Sequence, residues 1–211
     1  MNDNHEILSQ VADYYTEKLS RYGETAQGVD WNSPESQLLR FMQLSKIIHS
    51  GIHSFSINDL GCGYGALLNY LRDNYDNFEY LGIDISDKMT RAANHRHVRN
   101  KKARFITSDK PDRLADYSIA SGIFNVRLSR TCAEWEAYLQ ATLDTLNRTS
   151  RLGFSFNCLT SYSDEDKKRD YLYYADPCQL FDLCKRRYSR EVALLHDYGL
   201  YEFTILVKKT P

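Results

Sequence analysis

Seven residues constrain this chain more than any others: Asp59-Leu60-Gly61-Cys62-Gly63-Tyr64-Gly65. They follow FSIN, which continues into them as a buried apolar strand over 55–60, and they open GALLNYLRDNY (65–75), which has helical periodicity. Three glycines therefore fall on a strand-to-helix turn, where the backbone can approach a ligand without a Cβ in the way.

The spacing narrows the ligand. Dinucleotide-binding turns read G-x-G-x-x-G, whereas this one reads G-x-G-x-G with a carboxylate two residues before the first glycine. A pyrophosphate would be repelled by Asp59. A cofactor that carries an ammonium and a sulfonium and no phosphate fits better. Asp84, with Ile85 beside it, closes a second strand, EYLGIDI (79–85), 23 residues after Gly61. A carboxylate at that place can accept both hydroxyls of a ribose. Ser108-Asp109 closes a third strand, ARFITS (103–108), where an acid can accept from an adenine amino group. Ala120-Ser121-Gly122 gives a fourth strand, YSIASGIF (117–124), a small-residue stretch suited to the aminoacyl part of the ligand. Asp84 alone also suits a helix N-cap and Asp109 a turn, but their registration on successive strand ends points to one site.

The rest of the chain supplies the scaffold for those strand ends. VADYYTEKLSRY (11–22) and a helix N-capped by Ser33 with Pro34 at its first position make residues 1–50 a helical cap. Beyond it, strand and helix signals alternate, with further helices near 87–97, 133–148 and 176–188 and a fifth strand at 153–159. Only about eight residues, KPDRLADY, join the third strand to the fourth, too few for a crossover helix. The chain closes on a hairpin, EVALLHDY-GL-YEFTILVKK. The expectation is a single domain over 1–211: an α/β, Rossmann-like, mostly parallel seven-stranded sheet with an antiparallel last strand, helices on both faces and the helical N-terminal extension.

Asp59 to Gly65, Asp84 and Ser108-Asp109 resemble the successive motifs of class I S-adenosylmethionine-dependent methyltransferases, and the hairpin is similar to the last two strands of that fold. GVDWNSPESQLLRF (28–41), ASGIFNVRL (120–128), FSFNCLTSYSD (154–164) and LHDYGLYEFTILV (195–207) resemble a group of small bacterial methyltransferases of unassigned substrate. The resemblance implies S-adenosyl-L-methionine as cofactor and S-adenosyl-L-homocysteine as product. It makes the N-terminal helices a cover, with Gln27, Trp31 and Arg40 over the cofactor and Arg40 pairing its carboxylate. Met89 resembles the apolar residue that packs on the adenine.

Composition sets the limits on partners. The net charge is −1, so no overall field recruits nucleic acid. No apolar run is long enough to span a bilayer, and MNDNHEILSQ has neither the basic flank nor the apolar stretch of a signal peptide. A cytoplasmic protein is expected, with five free cysteines showing no metal-ligand spacing. The expected reaction is methyl transfer to an oxygen or nitrogen of a small molecule, of the sugar or organic-acid kind. The alternatives are a methyltransferase acting on tRNA or protein, and a non-catalytic binder. Asn125, Arg127, Asn157, Tyr173, Tyr174, His196, Asp197 and Tyr198 should lie near the acceptor, with His196 the candidate general base.

Overall fold

The computed structural model describes residues 3–209, so the termini of the predicted domain, residues 1, 2, 210 and 211, lie outside it. Its elements run, in chain order, α1 (Asp3–Tyr22), α2 (Pro34–Ser45), β1 (Phe55–Leu60), α3 (Ala66–Asn74), β2 (Phe78–Asp84), α4 (Asp87–Arg96), β3 (Ala103–Thr107), β4 (Ala115–Ala120), α5 (Cys132–Arg148), β5 (Ser150–Thr160), β6 (Tyr174–Ala175), α6 (Pro177–Arg187), β7 (Glu191–Leu195) and β8 (Glu202–Lys208). The sheet order is β3-β2-β1-β4-β5-β8-β7, with β8 antiparallel to both neighbours. The seven strands, mostly parallel with an antiparallel last strand, are those expected. The two-residue β6, pairing parallel with β5, is an addition that periodicity cannot reveal at that length.

Two corrections concern strand ends. The fourth strand stops at Ala120 rather than Phe124, because Gly122 turns the chain away with φ +74°. The seventh stops at Leu195, which leaves His196 in the connection to β8. No helix joins β3 to β4, as the short connection requires.

Alternation along the strands fills two cores, one on each face of the sheet. Trp135, Leu139 and Leu143 of α5 pack with Leu81, Ile83, Phe154 and Phe156 on one face. On the other, Leu44 of α2, Ile47 just after it, and Leu67, Leu68 and Leu71 of α3 cover Ile57, Tyr80 and Ile119. α1 adds Ile7 and Val11 to the first core.

The helix starts carry their own specification. Ser33 accepts from the Ser36 amide while the Ser36 hydroxyl takes the Ser33 amide, and Thr131 and Glu134 do the same for α5. Thr131→Ala should lower unfolding free energy by about 1 kcal/mol, since it removes a cap partner and nothing from the core. Urea denaturation of the two proteins checks this. Among the described residues no helix is long and apolar enough to cross a membrane, and all five cysteines are free.

Candidate cofactor and active site

The strand order reverses between β1 and β4, the place where open α/β sheets bind ligands at the carboxyl ends of their strands. A cavity opens there. Asp59, Gly61 and Gly63 line it from β1 and the turn that follows. Asp84, Ile85 and Met89 line it from the β2–α4 junction, Ser108 and Asp109 from the end of β3, and Ser121 from the end of β4. Trp31 closes it from the cap. Ten of the thirteen candidate site residues thus meet at one place. Gly65, Arg40 and His196 do not line it.

Each exception has a structural reason. Gly65 is the left-handed N-cap of α3, with φ +81°, and a Cβ there would meet the His97 ring at 2.9 Å. Its carbonyl lies 3.0 Å from His97 Nε2. It shapes the turn from behind instead of facing the ligand. Arg40 is buried behind Trp31, its guanidinium 3.9 Å from the indole ring centre. It spends Nε and Nη2 on Glu202 at 2.8 and 2.7 Å, while Nη1 is buried with no hydrogen-bond partner. His196 is exposed at the sheet edge, where its ring meets only Tyr162 and Phe203, each centroid 6.0 Å away. β7 stands three strands from β4, roughly 14 Å at the usual spacing.

The expected acceptor residues also have other work. Asn125 Oδ1 accepts from the Leu159 amide. Asn157 Oδ1 accepts from the Gly122 amide at 2.7 Å, and Arg127 donates to the Leu172 and Arg130 carbonyls. They fix the chain around β4 and β5 and do not face the cavity.

Two buried carboxyls dominate the electrostatics. Asp84 Oδ2 accepts from the Gly63 amide at 2.9 Å and Oδ1 from the Ser86 amide at 2.8 Å. It therefore ties the glycine turn to the start of α4. Burial pushes its carboxyl up to about 6 against those bonds. Asp59 is deeper. Burial takes it to about 7, although the Tyr80 hydroxyl donates to it at 2.5 Å. A cavity that holds two costly carboxyls is built for a cationic guest.

The cap completes the roof. Leu8, Val11 and Tyr15 of α1 line the cavity, and the Thr16 and Ser86 hydroxyls lie 2.7 Å apart. Tyr14 and Lys18 both bond Asp30, which fastens α1 to the turn before Trp31. Gln27, a predicted cover residue, is exposed in the 3₁₀ turn Gln27–Val29, and Val29 takes the lining position instead. Gln37, Tyr64, Tyr138 and Thr142 also line the cavity. Sequence reasoning missed them because Gln37, Tyr138 and Thr142 lie on helices whose periodicity says only that they are amphipathic, and Tyr64 stands in the glycine turn among residues chosen for their backbone.

The residues fit the cofactor that the motifs imply. Ser121 Oγ is buried in the wall without a hydrogen-bond partner, so one polar atom there awaits a ligand. Gly122 has the Trp31 indole at 2.3 Å from where a Cβ would stand, so any side chain would displace the roof.

Comparison with known proteins agrees. Residues 57–153 match the protein family described as Methyltransferase domain. A candidate methyltransferase of Mycobacterium tuberculosis (strain ATCC 25618 / H37Rv), Rv1506c, is 67% identical over 155 residues, which cover 74% of this chain and 93% of that protein. Among solved structures, the fold is similar to magnesium protoporphyrin IX methyltransferase of Synechocystis PCC 6803 with bound S-adenosylmethionine, at a TM-score of 0.68 and 16% identity, with both chains fully covered. It is also similar to the N-methyltransferase NodS of Bradyrhizobium japonicum WM9 in complex with S-adenosylhomocysteine, at 0.66 and 12%, covering 95% of this chain and 98% of that one. With the glycine turn, the two buried carboxyls and the roofed switch-point cavity already in place, these matches show that the chain belongs to the class I S-adenosylmethionine-dependent methyltransferases.

Proposed function

We propose that the chain transfers the methyl group to an oxygen or nitrogen of a small-molecule acceptor. The observation that carries this is the roof: α1 and Trp31 close over the cavity, and Lys110 is the one lysine or arginine among its lining residues, against Asp59, Asp84 and Asp109. A folded RNA would call for more basic lining than one lysine set against three aspartates. The wider tRNA, protein and non-catalytic readings become outcomes of the test below.

Bound S-adenosylmethionine supplies an electrophilic methyl whose sulfonium becomes a neutral thioether on transfer. The chain's own part is to bind, orient and exclude water. Asp84 would hold the ribose hydroxyls with Ile85 beside it, Ser108 and Asp109 the adenine edge, and Met89 the adenine face. Asp59, Ser121 and the backbone around Gly61, Gly63 and Gly122 would hold the aminoacyl end. Trp31 covers it, backed by the Arg40 guanidinium on the far side of the indole.

The near-neutral groups in the cavity, Asp59 and Asp84, both lie on the cofactor side. Proton removal from the acceptor therefore has no assigned residue. The acceptor is read as a group with a free lone pair when it binds, an unprotonated amine or a carboxylate, and positioning supplies the rate. His196→Asn should then leave S-adenosylhomocysteine affinity within about twofold and leave the pH–rate profile unchanged, where a general base would contribute about 10²–10⁴-fold. A profile that moves with this substitution would return His196 to the mechanism.

The test of function is incubation of the protein and methyl-labelled cofactor with fractionated cell extract. Label should appear in low-mass products. Label in RNA or protein, or in no fraction while the cofactor still binds, would overturn the small-molecule reading.

A further inference from the structure

Five buried or half-buried residues, far apart in the chain, close a ring around the aminoacyl end of the cavity. The Gly122 amide donates to Asn157 Oδ1 at 2.7 Å, and Asn157 Nδ2 donates to Glu202 Oε2 at 2.5 Å. Glu202 accepts both bonds from Arg40. Arg40 stacks on Trp31 at 3.9 Å, and Trp31 lies against Gly122 where a Cβ would be. The ring thus joins α2 and the turn before it to the ends of β4, β5 and β8. Asn157 is 0% exposed, Glu202 1% and Arg40 5%.

Such a pair is not there for stability. Two charges taken out of water cost about as much as their attraction returns, and well-packed apolar residues serve a fold as well or better. Among the buried side-chain nitrogens and oxygens of this ring, Arg40 Nη1 alone lacks a hydrogen-bond partner. A guanidinium locked on two nitrogens is a fixed backing for the Trp31 indole, which does line the cavity.

We propose that Glu202 is a positioning residue for methyl transfer: it fixes Arg40 behind Trp31 and, through Asn157, the Gly122 amide, so that the aminoacyl end of the cofactor meets a preset wall. Glu202 itself touches no reactant. Asn157 is the second member, since its two side-chain atoms bridge the ion pair to the backbone at the end of β4. Loss of the ring should loosen one end of the cofactor and leave the nucleoside end untouched.

That asymmetry makes the test. S-adenosylhomocysteine carries the aminoacyl group, and 5′-methylthioadenosine presents the same nucleoside without it. The Arg40→Met/Glu202→Leu double variant removes both charges together and so avoids a lone buried ion. Calorimetry should show its S-adenosylhomocysteine affinity reduced about tenfold, which corresponds to about 1.4 kcal/mol lost where Trp31 and Gly122 are no longer held in place. Its methylthioadenosine affinity should stay within about twofold of the parent. Cofactor quenching of Trp31 fluorescence should also shrink, with Trp135, fully buried and bonded to the Phe124 carbonyl, as a constant background. Glu202→Gln keeps the shape and is judged by the same ratio if the double variant does not fold. Unchanged S-adenosylhomocysteine affinity, or equal weakening of both ligands, would overturn the proposal. The inference rests on the cofactor assignment, and failure of the parent protein to bind S-adenosylhomocysteine would count against that assignment instead.

Discussion

Asp84→Ala should lower the affinity for S-adenosylhomocysteine by about a hundredfold or more. The expected ribose contact is a pair of charge-assisted hydrogen bonds at roughly 1.5–3 kcal/mol each, and about 1.4 kcal/mol is a factor of ten. The substitution also frees the Gly63 and Ser86 amides, which Asp84 holds at 2.9 and 2.8 Å, so the glycine turn loses its tie to α4. Methylthioadenosine should weaken by the same factor, because it shares the ribose. This separates Asp84 from the Arg40–Glu202 pair, whose loss should spare that ligand. Removing the charge should change stability far less. At pH 7 an ionised Asp84 with a folded-state value near 6 opposes folding of the unliganded chain, since burial disfavours its charge. Asp84→Asn removes the charge but turns an NH2 toward one of the two amides that Asp84 holds, so relief of the buried charge and loss of one hydrogen bond should nearly offset in the unliganded protein. Calorimetry and thermal unfolding on the same preparations test both halves. Parental affinity in Asp84→Ala would sink the ribose assignment.

Much of this site was readable before any coordinates because it follows the repeat of the fold. Each βα unit ends a strand at the same level, so Asp59, Asp84, Ser108 and Asp109 could be aligned by counting alone. The unread part depends on which residues meet across the chain. Arg40 and Glu202 are 162 positions apart, and no local pattern links them. Arg40 looked free for the cofactor because its partner on β8 was out of view. His196 was misplaced for a related reason. The hairpin and its direction were legible, but the distance of β7 from β4 depends on β5 and β8 inserting between them. Tyr15 and Tyr138 read as amphipathic-helix residues, and only helix packing over the switch point turned them toward the cavity.

Cofactor affinity and the stability of the unliganded protein should run in opposite directions with pH. Without ligand, Asp59 titrates near 7 and Asp84 near 6 when folded, against roughly 3.9 for an aspartate in the unfolded chain. Between about pH 4 and 7 the folded state therefore binds more protons than the unfolded state, and stability falls as pH rises through that window. The surface acids held low by arginines, Asp112 with Arg104 and Asp144 with Arg187, act the other way but only as pH falls into the ordinary carboxylate range and below. They leave the interval from 5.5 to 7.5 to the cavity pair and to His97, whose imidazole burial holds low and which therefore offsets part of the fall. Ligand reverses the sign, because an ammonium beside Asp59 and hydroxyls on Asp84 both favour the ionised carboxyls. Binding at pH 5.5 must first expel protons from groups that are charged at pH 7.5. Affinity for S-adenosylhomocysteine should drop by about two orders of magnitude between those values, up to tenfold per pH unit for each group below its own titration point. Asp59→Asn should flatten the upper part of that slope and leave the part near pH 6. Methylthioadenosine, which lacks the ammonium, should follow Asp84 alone even in the parent protein. Melting curves with and without ligand from pH 5 to 8 would show the ligand-induced shift widening as the unliganded melting temperature declines. An affinity that stays flat from pH 5.5 to 7.5 would mean that the two carboxyls are already ionised in the empty cavity, and that burial there is weaker than the packing around Asp59 and Asp84 implies.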